Sequence, residues 1–172
     1  MSFPGFSDAL TGNSRARTLQ VFGEFGYGMK AGDFAFEPFA NLAYINVRSD
    51  GFAEKGGAAA LTILDSTNAV TFTTLGIRAA TDFEIGSTRA TARGMIGWRH
   101  GFGDVTPTVA QAFAGSNVFS IAGAPIARDA ATLEAGLDFA MTPRAALGLS
   151  YQGQLGTKTG DHGVRADLNV KF

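Results

Sequence analysis

The chain ends on an unbroken alternation. Val164, Ala166, Leu168, Val170 and Phe172 fall on one side of a period-two pattern, and Arg165, Asp167, Asn169 and Lys171 on the other. The segment before it repeats the pattern, with Leu147, Leu149, Tyr151 and Leu155 against Gly148, Ser150, Gln152 and Gln154. Before that come Leu133, Ala135, Leu137, Phe139 and Met141 against Thr132, Glu134 and Asp138. Further upstream, Ala92, Ile96, Trp98 and Phe102 alternate with Thr91, Arg93 and Arg99, and Leu75, Ile77, Ala79 and Phe83 with Thr74, Arg78 and Asp82. Phe34, Phe36, Pro38, Leu42 and Tyr44 oppose Glu37 and Asn41 less cleanly, because Phe39 and Ile45 sit on the polar side. Leu19, Val21, Phe25 and Tyr27 oppose Gln20 and Glu24 in a first strand over 17–29, and shorter candidates lie at 59–64 and 108–114. The pattern predicts about nine strands, several as long as a tilted membrane strand requires. Residues 1–16, with Pro4, Gly5, Gly12 and Asn13, read as an irregular segment ahead of a β-barrel domain over 17–172.

The connections are expected to alternate in length. Lys30–Asp33, Asp65–Asn68, Gly103–Pro107 and Thr142–Arg144 carry the glycine, asparagine, aspartate and proline of tight turns. Arg48–Gly57, Glu84–Thr88, Gly115–Arg128 and Gly156–Gly163 read as longer loops. Outer-membrane barrels show this asymmetry, with short periplasmic turns and longer external loops.

Composition narrows the class. The 23 glycines are about twice ordinary usage, and the 17% of charged residues falls below the usual quarter or so. Glycine at that level weakens helices. Lys and Arg number 14 against 15 Asp and Glu, which argues against a nucleic-acid partner. The chain has no cysteine and two histidines, His100 and His162, so neither a disulfide framework nor a histidine-rich metal centre is expected. Met1–Gly5 shows no basic or apolar signal region. The uncharged stretch Val105–Ala127 is broken by Pro107, Gly115, Gly123 and Pro125, and reads as strand plus loop instead of a membrane helix.

Alternation alone does not tell inside from outside. Three features favour an apolar face turned to lipid. Many strands without helices call for a closed sheet, which removes edges. The polar face carries both signs, so that Glu37, Glu134, Asp138 and Asp167, with Glu24, can meet Arg78, Arg93, Arg99 and Arg165 across a lumen. The last strand also runs to a terminal aromatic residue. The expected fold is all-β, an antiparallel transmembrane barrel of about eight to ten strands. At that size the side chains nearly fill the interior, so a folded protein cannot pass.

Several segments carry a family resemblance: Glu37–Tyr44, Thr74–Ala80, Gly97–Pro107, Ala124–Asp129 and Leu149–Gln154, with the closing Phe172. In order and spacing they resemble the C-terminal part of an autotransporter β-domain, the translocator of type V secretion. The resemblance implies a Gram-negative outer-membrane location among phospholipid and lipopolysaccharide, and a family barrel of twelve strands. It also implies insertion by the barrel-assembly machinery, reading Phe172, Val170 and Leu168, and a passenger polypeptide, for which this chain offers no segment. A free-standing small barrel, acting as anchor or adhesin, is the alternative. A soluble barrel with an apolar ligand is a third reading.

No catalytic constellation emerges. Asp161 and His162 adjoin in an expected loop without a spaced nucleophile, and Ser7–Asp8 has no distal acid–histidine partner. Gly26-Tyr27-Gly28 lacks the helix a dinucleotide site needs. No enzyme activity, metal or cofactor is expected. Trp98, Tyr44 and Tyr151 are expected at the membrane interface, and glycines within strands are expected to mark bends or places where a large neighbour packs on the backbone.

Overall fold

The alternating segments become strand. The computed structural model describes residues 2–3, 6–7, 9–57, 59–157 and 159–170. Phe172, the expected end of the assembly strand, lies outside the described residues. The elements are β1 (Ser2–Phe3), β2 (Phe6–Ser7), β3 (Arg15–Gly26), β4 (Met29–Ala31), β5 (Phe34–Asp50), β6 (Phe52–Ala53), β7 (Leu61–Ile63), β8 (Ser66–Ile85), β9 (Thr88–Gly103), β10 (Thr108–Phe113), β11 (Phe119–Ala122), β12 (Asp129–Thr142), β13 (Ala145–Gly156) and β14 (Gly160–Val170). No helix occurs among the described residues, and so none is long and apolar enough to cross a membrane. The chain is all-β.

The main sheet is ordered β14-β13-β12-β9-β8-β5-β3, with β4 also on β5. Two compact units divide the chain: one holds residues 22–43, 72–101 and 127–172, the other residues 1–21, 44–71 and 102–126.

The first of these units contains the clearest ladder. Across β9, β12, β13 and β14 the register places Ala92, Leu137, Leu149 and Ala166 in one row, and Ala90, Phe139, Leu147 and Leu168 in the next. Between these rows lies Thr91–Asp138–Gly148–Asp167, pointing the other way. One face is therefore uncharged along β13 from Ala145 to Leu155. Ten residues span ~34 Å at ~3.4 Å per residue. Tilted by ~40°, that is ~26 Å, the height of the apolar band of an outer-membrane barrel. Ile96, Leu149 and Leu168 are 60%, 47% and 67% exposed. Among the described residues the buried apolar side chains are Phe39, Val70, Ala90 and Ala130, with no buried polar one. A soluble barrel gathers its oily side chains into a dry interior; this sheet leaves them outside.

Tight turns join the strands at one end of this unit, at Gly32–Asp33, Gly86–Ser87 and Pro143–Arg144. Gly32 and Gly86 adopt positive φ, which suits glycine. Glu84–Thr88, expected as a longer loop, is thus a two-residue turn between β8 and β9. Gly156–Gly163 also shrinks, because β14 begins at Gly160. Asp65–Asn68, expected as a turn, gives way to β8 from Ser66 onward. In each case the ladder continues through polar residues that read as loop on composition alone.

The second unit holds a smaller sheet ordered β11-β10-β7-β6. Its strands come from the long connections that join β5 to β8 and β9 to β12. Thr11 and Lys55 exchange backbone hydrogen bonds of 2.9 Å beyond β6, and the Glu54 carboxylate accepts the Leu61 N–H at 3.1 Å. The Asp104 carboxylate accepts the Ala69 N–H at 2.9 Å, which holds the chain as it leaves β9.

Candidate functional site

The charged face of the first unit is concave. Residues from β5, β8, β9, β12, β13 and β14 line a single cavity of about 870 Å³, among them Glu37, Arg78, Arg93, Glu134, Arg165 and Asp167. A second cavity of about 410 Å³ takes Glu24, Asn41, Arg99, Thr132, Gln154 and Asp161. Both have charged residues of either sign in their walls.

Arg78 organises one side. Its Nη1 donates to Glu24 Oε1 at 2.7 Å and to Glu37 Oε1 at 2.9 Å, and its Nη2 to Glu24 Oε2 at 2.9 Å. The fork is bidentate on Glu24 and ties β3, β5 and β8 together across the face. The guanidinium lies 3.9 Å above the Phe39 ring, a cation–π contact. That contact is why an aromatic residue occupies a polar position of β5. Arg93 pairs with Asp138 at 3.4 Å, and Arg165 with Asp167 at 2.8 Å along β14. Thr91 donates to Asp82 at 2.6 Å. These groups are partly exposed, so each isolated pair contributes at most about 1 kcal/mol.

Glu134 faces Gln152 across β12 and β13. Arg99 lies 5.1 Å from the Phe72 ring centroid, and its Nε is buried without a hydrogen-bond partner among the described residues. The eight charged residues expected on one polar face are therefore distributed as one three-strand cluster, two local pairs, and two residues outside the ion pairs of the described residues.

Glycines complete this face, and sequence reasoning did not say which neighbour each one serves. A Cβ on Gly136 would stand 2.5 Å from Arg93 Nε, one on Gly148 2.8 Å from Asp138 Oδ1, and one on Gly26 2.8 Å from Glu37 Oε1. Gly136 is the direct cross-strand partner of Arg93, and Gly148 of Asp138. Each charged side chain lies flat across a glycine.

The opposite face carries two polar clusters among its apolar rows. Trp98 Nε1 donates to Asp129 Oδ1 at 3.2 Å, and His100 Nδ1 stands 2.7 Å from the same oxygen. Tyr151 Oη and His162 Nδ1 are 2.7 Å apart. Trp98 and Tyr151 are thus amphipathic residues with anchored polar tips. Tyr44, in the other unit, is half-exposed. Leu168 and Val170 are exposed on the apolar face of β14. Among the described residues no three metal-ligating side chains converge.

The autotransporter β-domain family model matches residues 1–152 of the chain. The chain belongs to the autotransporter β-domain family. Two curated relatives, both called extracellular serine protease and both from Serratia marcescens, are 37% identical over 167 residues and 39% identical over 158. The alignments take in 96% and 91% of this chain but 16% and 15% of those proteins, so it spans about a sixth of their length.

Proposed function

We propose that this β-domain sits in the outer membrane of a Gram-negative cell, among phospholipid and lipopolysaccharide, and exports and anchors a passenger polypeptide. The observation that carries this reading is the two-sided sheet, whose uncharged face is ~26 Å tall and matches a hydrocarbon core. Proteolysis, named for the relatives, belongs on this reading to the passenger and not to the concave face. Insertion uses the barrel-assembly machinery acting on Leu168, Val170 and Phe172.

The sheet order adds a constraint. Seven strands follow one another from β3 to β14 in an antiparallel sheet, so the first and last run in the same direction. Antiparallel closure then takes an odd number of further strands. The twelve strands implied by the family resemblance supply five, which we assign to polypeptide outside this segment.

The test uses the full-length polypeptide in Gram-negative cells. It is expected in the outer-membrane fraction, resistant to urea extraction, with its passenger cut by protease added outside. Deleting residues 22–172 is expected to leave the passenger inside. Recovery in a soluble fraction, or surface exposure without this segment, would overturn the proposal. A passenger held at the surface but never moved there by this segment would favour the anchor reading.

A further inference from the structure

The concave face pairs charge with glycine at three places. Arg93 lies over Gly136, Asp138 over Gly148 and Glu37 over Gly26, with 2.5–2.8 Å between the charged group and the position of a Cβ. In all three cases the obstructing atom belongs to a mobile side chain, not to backbone. An added methyl group would therefore leave the strand in place and lift the charge off the wall. The glycine at 94, on the apolar face of β9, behaves differently. Its Cβ would meet only the Glu134 carbonyl oxygen at 3.6 Å, an ordinary contact.

We propose that these glycines set the bore of the conduit: they seat the charged side chains flat, so that the space above remains open to an extended, hydrated polypeptide. The inference rests on the translocator reading and adds a size determinant to it. Gly136 and Gly148 are positioning residues that act through Arg93 and Asp138. Gly136 has the largest effect, because Arg93 is the longest of the seated side chains. The conduit on this view admits a chain without folded structure, and its tolerance for bulk depends on how low the guanidinium lies.

The experiment follows export by pulse-chase in the full-length polypeptide, reading the time at which the passenger becomes cleavable from outside the cell. Barrel folding is scored separately by heat-modifiable migration. Gly136→Ala is expected to fold and to lengthen the export half-time at least threefold. Arg93→Ala combined with Gly136→Ala is expected to restore the half-time of Arg93→Ala alone, and Gly94→Ala is expected to match the parent. Should Gly136→Ala fail to fold, Gly148→Ala with and without Asp138→Ala makes the same comparison. Export of folded Gly136→Ala at the parental rate overturns the inference, as does a double variant as slow as the single one. A parent polypeptide that never reaches the surface overturns the translocator reading, and this inference with it.

Discussion

The two faces of the first unit's sheet are built from the same strands, residue by residue, yet obey opposite rules. On the apolar face the large side chains stand away from the backbone: Leu137, Leu149, Ile96 and Leu168 are all exposed. On the concave face they are charged and lie down, held by partners and by glycines on adjacent strands. The difference teaches that the solvent on each side, and not strand propensity, selects the residue. On the proposed translocator reading, hydrocarbon rewards projecting apolar surface, whereas a wet conduit needs charges that neither protrude nor remain unpaired.

The comparison breaks most sharply if a charge is moved one residue along a strand. Leu149→Arg places a cation within the apolar face and is expected to cost about 2–4 kcal/mol if that position lies near the bilayer midplane. Ser150→Arg, its neighbour on the concave face, is expected to cost far less. Urea titration of the two variants folded into lipid vesicles checks the contrast, and equal losses would mean that the faces are not distinguished by solvent. A smaller effect is expected on the concave face alone. Arg78→Ala removes the donor shared by Glu24 and Glu37 and leaves two carboxylates without their common partner. A loss of about 1 kcal/mol is expected for these partly exposed groups, with recovery when Glu24→Gln is added, measured by the same titration. Smallest is Thr91→Val, which deletes a single exposed hydrogen bond to Asp82 and is expected to cost about 0.5–1 kcal/mol.

Much of this was legible from alternation. The strands β9, β12, β13 and β14 follow directly from rows such as Leu147, Leu149 and Tyr151, because period two is a property of the backbone. The turn Gly86–Ser87 was not legible as such: Glu84 and Thr88 resemble loop, and only the pairing of β8 with β9 shows that they belong to strands. The strand β11 lay hidden for a related reason, since Phe119–Ala122 is short and flanked by Asn117 and Gly123. That Glu37, Arg78, Arg93 and Asp138 share a face could be read from spacing, but which acid meets which base could not. Register across β5 and β8 decides that Arg78 reaches Glu37 and Glu24, and no local pattern encodes it. Phe39 is instructive. The guanidinium above it accounts for its place among polar residues, and Gly76 supplies the room, since a Cβ there would stand 2.7 Å from the ring.

The tight turns at Gly32–Asp33, Gly86–Ser87 and Pro143–Arg144 have a consequence for how the folded protein ages in its compartment. A protease must draw several residues of extended chain into its cleft, and a two-residue hairpin tip offers too little slack to be drawn. Attack at those three tips has nowhere to begin. Degradation of the first unit should therefore begin elsewhere than at these hairpin tips.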